Sequence, residues 1–264
     1  TERLIEDMLI RATEDFKNSY NQNITEITMS DTEMGYGLNG NQLVITYDGG
    51  KNWITVPSTE DINLRSTGFY ITPDRTAVVM DGKEQDQVIV KKSKGKGKSW
   101  TSVILPDHRE TESKTNQSGT KFIGFTSPED GWIVTTSAVA MGSQYNFVYK
   151  TDDGGKTWTF AGSTNDVYRH VVTGAGFANK DIGLIGFRYE DNHEPIFYLT
   201  TDGGKTWSLQ NIPLPEKYKE DYATPLSPVF DNAQGTLPVT LRDHNETINY
   251  TTTDYGVHWT VPED

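Results

Sequence analysis

Three observations predict an all-β fold for this chain of 264 residues. An eight-residue phrase returns five times, the returns are nearly even, and short runs of Val, Ile, Thr, Tyr, Phe and Trp fill the intervals between turn formers. Together they predict a five-bladed β-propeller of four-stranded antiparallel blades with a short N-terminal amphipathic helix.

The phrase reads TYDGGKNW (46–53), SKGKGKSW (93–100), TDDGGKTW (151–158), TTDGGKTW (200–207) and TTDYGVHW (252–259). Five of the six tryptophans close a copy, at steps of 47, 58, 49 and 52 residues, so each repeat is one supersecondary unit. Ser or Thr opens it. Asp two positions on can accept backbone N–H bonds in a tight turn. Gly two further on suits φ > 0, and the closing Trp can fold back over the turn. The expected structural residues are Asp48, Trp53, Trp100, Asp153, Trp158, Asp202, Trp207, Asp254 and Trp259. The second copy has Gly95 in place of Asp, and the fifth has Tyr255 and His258 at variable positions.

Each unit reads as four strands, A to D. Before each box an apolar residue leads to Gly six positions on: Met29 to Gly35, Phe125 to Gly131, Phe177 to Gly183 and Val229 to Gly235, with Tyr70 to Thr76 as the exception. The turn formers between them predict an A–B hairpin. In the third unit A is 121–126, B 131–136, C 146–151 and D 158–162. The blades are expected at about 21–57, 64–106, 119–163, 168–212 and 225–262, within a propeller domain over 21–264. Each runs A to D without a strand borrowed from the far terminus. Over residues 1–20, Leu4, Ile5, Met8, Leu9, Ala12 and Phe16 recur at helical spacing. That predicts a helix packing on the propeller; its acidic polar face argues against a membrane-surface role.

The phrases resemble the Asp-box, or BNR repeat, Ser/Thr-x-Asp-x-Gly-x-x-Trp, of sialidase-like and photosystem II assembly factor-like propellers. The resemblance covers residues 24–262 and implies a propeller. It implies no activity, because in that family the box is structural and ligands bind at the opposite face. Asp48, Asp153, Asp202 and Asp254 are therefore read as structural rather than catalytic or metal-binding.

The net charge of −13 opposes non-specific nucleic-acid binding. No apolar run approaches the length of a membrane span. Cysteine is absent, which removes disulfides, thiol nucleophiles and thiolate metal sites. No cofactor or metal is expected: Asp191, His193 and Glu194 could ligate one, but a polar loop explains them. A bacterial, extracellular or cell-surface setting is expected, with any leader removed ahead of Thr1.

Sorting polar residues by loop places A–B turns and boxes on one face, and D–A and B–C loops on the other. Four of the five histidines (His108, His170, His193, His244) and five of the eight arginines fall in the second set. The candidate ligand-binding residues are Arg65, Arg109, Tyr168, Arg169, His170, Arg188, Tyr189, Arg242 and His244. Arginine pairs bidentately with carboxylate or phosphate, so an anion pocket is one reading. Surface ion pairs with Asp61, Asp107, Glu110, Glu112, Glu190, Asp191, Glu194 and Asp243 are the plainer one. Tyr145, Tyr218 and Tyr222 end or lie in long loops of the same set, where exposed rings would suit sugar or protein contact.

No catalytic motif appears. The Phe/Tyr-Arg-Ile-Pro motif of sialidases is missing, since Arg65 lies in NLRSTG. The expected function is a non-catalytic binding module that engages a glycan or protein partner through the D–A/B–C face. The alternative is a sialidase-like glycoside hydrolase with a divergent site on that face.

Overall fold

A computed structural model of the chain describes residues 24–84, 87–107, 118–190 and 193–261. The helix expected over residues 1–20 lies outside them. The fold is all-β, a five-bladed propeller of four-stranded antiparallel sheets, and among the described residues helix is limited to two 3-10 turns at Leu64–Ser66 and Glu216–Tyr218. The first sheet is β1 (Ile24–Met29), β2 (Gly35–Asn39), β3 (Gln42–Thr46) and β4 (Ile54–Thr55). The second is β5 (Gly68–Ile71), β6 (Arg75–Asp81), β7 (Val88–Lys94) and β8 (Ser99–Ile104). The third is β9 (Lys121–Phe125), β10 (Gly131–Thr136), β11 (Asn146–Thr151) and β12 (Thr159–Gly162). The fourth is β13 (Val172–Phe177), β14 (Gly183–Phe187), β15 (Ile196–Thr200) and β16 (Ser208–Gln210). Within each, strands pair in chain order.

The fifth sheet departs from this plan. Its A strand is split into β17 (Ala223–Pro225) and β18 (Val229–Asp231), both paired with β19 (Gln234–Leu241), which pairs in turn with β20 (Glu246–Thr252). Pro225 and Pro228 bracket the break, and proline cannot donate to a ladder. The D strand shrinks to a bridge between Thr251 and Thr260, held by two backbone bonds of 2.7 and 3.3 Å.

The apolar-to-glycine step has a packing explanation. Met29 faces Gly35, Phe125 faces Gly131 and Phe177 faces Gly183 across the A–B ladder. Each apolar side chain folds over the bare glycine: a Cβ on Gly183 would sit 2.3 Å from the Phe177 ring. In the fifth sheet the expected partner of Gly235 is corrected. Phe230, not Val229, faces it, and Val229 is exposed. The pairing register sets Phe230 opposite the glycine, and a Cβ on Gly235 would sit 2.5 Å from its ring.

Four boxes share one hydrogen-bond pattern. In the fourth, the Thr200 hydroxyl donates to Asp202 (2.8 Å) and accepts from Gly204 N–H (2.9 Å). Asp202 accepts from Lys205 N–H, Thr206 N–H and the Thr206 hydroxyl at 2.6–3.0 Å. The third box repeats this around Asp153. Asn52 and His258 supply the last donor in the first and fifth. Positive φ occurs at the fourth position as well as the expected fifth, and Tyr255 occupies the fourth at φ 65°. The fourth-position N–H bonds back to the A–B turn, at 2.8 Å each, from Gly49 to Glu33, Gly154 to Glu129, Gly203 to Asp181 and Tyr255 to Ala233. The degenerate second box keeps a longer version, from Gly95 to Asp74 at 3.3 Å. Box and A–B turn therefore share one end of every blade.

These bonds stabilise the ionised acid. Burial would raise the Asp202 carboxyl, but its donors outweigh that and hold it at about 2; His258 N–H leads the causes that hold Asp254 at about 2. Asp153 is lowered as well, chiefly by Thr157 N–H. A folded pKa below the unfolded value contributes stability above the unfolded pKa and loses it as pH falls through the folded one. Asp202→Asn is therefore expected to lower Tm at neutral pH. The gap to wild type should narrow between about pH 4 and pH 2; a pH-independent gap in thermal melts would contradict this account.

The chain divides into two compact units, one running up to Met80 together with Ile89–Val103, the other comprising Asp81–Val88 and everything from Ile104 on. The first packs around Leu43, Ile45, Tyr47, Val56 and Val78, with Trp100 alongside. The second holds two cores, around Trp132, Phe177, Phe187 and Trp207, and around Leu184, Phe197, Leu237 and Tyr250. Buried Gln144 joins neighbouring sheets there: its amide donates to Thr136 Oγ1 and Ser137 O and accepts from Val172 N–H, at 2.8–3.0 Å. Gly174 on β13 lets the split A strand approach, since a Cβ there would lie 2.2 Å from the Leu226 carbonyl carbon.

Candidate functional site

In the second unit, the B–C loop after β14, the loop from β16 to β17 and the β19–β20 hairpin bring three of the nine candidates, Arg188, Tyr189 and Arg242, together with His193 and Tyr222. Tyr189 and Tyr222 have ring centroids 4.9 Å apart, and His193 stacks on Tyr222 at 4.6 Å. The Arg242 guanidinium lies 5.6 Å from the Tyr189 ring and 5.5 Å from Tyr222; Arg188 lies 5.9 Å from Tyr189. Both arginines are exposed, while the two tyrosines are half-buried. Ring faces attract cations, so the aromatic pair seats the guanidinium groups and leaves N–H edges for an incoming anion.

Local bonds fix the loops. Arg188 N–H donates to Val171 O (2.9 Å), Arg242 N–H to Tyr222 O (3.0 Å) and Ala223 N–H to His193 O (3.2 Å). Asp221, fully buried at its carboxylate, accepts from Asp243 N–H (2.8 Å), His244 N–H (3.2 Å) and the His244 ring (2.7 Å). Burial would raise its pKa, but these donors outweigh burial and hold it low. His244 is thus a lock between two loops. Tyr218 was expected to be exposed; it is buried, meets His244 edge-on at 5.1 Å and donates to Glu246 at 2.6 Å.

The other predicted residues lie elsewhere. Arg169 donates to the Tyr145 hydroxyl at 2.8 Å and lies over that ring. Tyr168 stacks on Tyr198 at 5.2 Å and sits near His170, whose Nε2 is 3.8 Å from Glu190. Arg65 is exposed in the first unit, its N–H bonded to Asn63. Arg109 and His108 lie outside the described residues. Among the described residues no lysine- or arginine-type ion pair joins Arg65, Arg169, Arg188 or Arg242 to a carboxylate. No group of three or more His, Asp or Glu among those residues could hold a metal ion.

Sequence reasoning missed a second feature, at the box end. A cleft of about 380 Å³ between the third and fourth boxes is lined by Asp130, Lys150, Asp181 and Asp202 among others. The Lys150 ammonium lies 3.3 Å from the Phe177 ring centre. Burial pulls its pKa to about 7, against the opposing pull of Asp181 and Asp130. In the sequence it is only the fifth residue of a strand.

Comparison with known proteins agrees with this architecture. The BNR/Asp-box repeat model matches residues 198–209, the fourth box with its flanks. No curated protein matches the chain in sequence. Among solved structures, an ancestral GH74 enzyme is 16% identical with a TM-score of 0.52, over 90% of this chain and 32% of that one. This chain therefore spans about a third of that enzyme. A protein of unknown function from Dyadobacter fermentans is 14% identical with a TM-score of 0.52, over 89% and 80% of the two chains. YCF48 from Cyanidioschyzon merolae is 10% identical over 89% and 84%, with a TM-score of 0.40, too low to carry an argument. At such identities the likeness concerns fold alone. The chain carries BNR/Asp-box repeats on a five-bladed propeller.

Proposed function

We propose that this protein is a non-catalytic binding module that engages a glycan or protein partner through its D–A and B–C loops. Arg188 and Arg242, seated on Tyr189 and Tyr222, receive an acidic group of that partner. The observation that carries the reading is the placement of the Arg242 guanidinium over both rings with no carboxylate paired to it among the described residues. A guanidinium held on ring faces loses little freedom on binding, and its bonds to an anion are charge-assisted. Val139 and Met141 stand exposed on the B–C loop of the third sheet; methionine, tyrosine and arginine are enriched at protein interfaces. We expect the module to act outside a bacterial cell.

One placement favours the hydrolase reading. Glu190 and Tyr168 share the wall of one pocket, although the Tyr168 hydroxyl has no hydrogen-bond partner among the described residues, and a tyrosine beside a glutamate is the nucleophile arrangement of sialidase-like enzymes. Against it, burial first and Glu190 second push the Tyr168 pKa up, which makes a phenolate harder to form.

The test is an array of sialylated, uronic-acid and sulfated glycans run beside polyglutamate peptides, with fluorogenic glycosides as a cleavage control. An acidic probe is expected to bind. Arg188→Ala with Arg242→Ala should weaken it by about a hundredfold to ten-thousandfold, each charged hydrogen-bonding group contributing about 1.5–3 kcal/mol, while Arg169→Ala should matter much less. Undiminished binding by the double variant would remove this site, and turnover of a glycoside lost in Tyr168→Phe would establish the hydrolase instead.

A further inference from the structure

A separate pocket of about 350 Å³ opens at the loop end of the fourth sheet, with Tyr168, Tyr198, Glu190, Glu194, Leu209 and Asn211 in its wall. Its charge has one sign, since two carboxylates line it and no lysine or arginine does. Among the described residues neither glutamate is paired with a lysine or arginine; the His170 ring lies 3.8 Å from Glu190. The aromatic side is braced. Tyr168 and Tyr198 stack at 5.2 Å with an interplanar angle of 18°, and both meet Phe187 edge-on.

We propose that this pocket takes an organic cation: an ammonium group facing Glu190 and Glu194, with its alkyl carbons packed on Tyr168 and Leu209. Two carboxylates in one wall with no lysine or arginine beside them attract a cation, an attraction that a neutral sugar does not gain. An anion would be repelled. Both phenols have raised pKa values, first from burial and then from the Glu190 charge, so the field of that carboxylate reaches the rings. A negative field over a π face also favours a cation. The proposal stands on residues other than the arginine seat and does not depend on it.

The ammonium can belong to a small molecule or to a lysine of a partner protein. Calorimetry at low salt with choline and its neutral isostere 3,3-dimethylbutanol tests the charge. A lysine peptide against its acetyl-lysine form tests the source. Choline or the lysine peptide is expected to bind, with the isostere or acetylated form at least about tenfold weaker. Glu190→Gln and Glu194→Gln, both at exposed positions, should each weaken the cation about five- to tenfold with Tm unchanged. Arg188→Ala/Arg242→Ala should leave it bound. Equal binding of charged and neutral probes, no binding of either cation up to about 20 mM, unchanged affinity in the double Gln variant, or binding of neutral oligosaccharides alone would each overturn the proposal.

Discussion

Trp207→Ala is expected to destabilise the fold by about 3–5 kcal/mol, read as a shift in the urea midpoint. The ring is 8% exposed and packs within the core of the second unit beside Phe177, with centroids 6.3 Å apart. Its Nε1 donates to Gly204 O at 3.0 Å, so the box is closed by a hydrogen bond as well as by contact. Truncation removes apolar burial, leaves a cavity and orphans that carbonyl. Trp158 is buried to a similar degree, at 5%, but its Nε1 has no hydrogen-bond partner among the described residues. Replacement by Phe should therefore cost more at Trp207 than at Trp158, by about 1 kcal/mol, the net worth of one such bond. Equal losses at both would show that the bond contributes nothing. A Trp207→Ala variant as stable as wild type would remove the structural role of the box.

Lys121→Ala is the second large effect, about 2–5 kcal/mol, the cost of truncating a fully buried long side chain. The Lys121 side chain is 0% exposed, and its ammonium lies 2.7 Å from Asp81 Oδ1 and 3.0 Å from Gly119 O. Burial lowers its pKa and Asp81 opposes that shift, so the carboxylate is what keeps the charge tolerable inside the protein. Removing the ammonium takes one partner from Asp81, which at 42% exposure can be rehydrated, and one donor from the Gly119 carbonyl. Lys121→Met keeps most of the stem and should recover part of the loss. Asp81→Asn removes a carboxylate charge 2.7 Å from a buried ammonium and should be costly in its own right. If Lys121→Met and Asp81→Asn were both neutral in urea titrations, the pair would not be a stabilising feature.

Much of the fold was legible because its signals are local. A Thr-x-Asp-x-Gly phrase ties its own backbone with its own side chains, so its geometry needs nothing from the rest of the chain. Strands β10 and β11 were readable to the residue for the same reason, being bounded by those turns and filled with β-branched and aromatic residues. The split of the fifth A strand was not legible. Pro225 and Pro228 bracket the break, and there Leu226 closely approaches Gly174, 52 residues away, a contact that no local pattern announces.

The candidate sites divide in the same way. That Arg188, Tyr189 and Arg242 share one end of their blades followed from strand order, because an antiparallel repeat alternates its loops between two ends. Which of nine candidates converge did not follow. Arg169 turns to Tyr145 and His244 to Asp221, choices made by side chains from other loops. Tyr198 was invisible as a pocket residue because it reads as an ordinary strand position.

By itself the sequence determined the five-bladed architecture and the stapled corners, since the corners rest on bonds within a few residues and recur at a nearly even spacing. Tertiary structure alone decided that two arginines share one aromatic seat while two glutamates face a separate pocket. Those placements depend on distances between residues far apart in the chain, which no local pattern encodes.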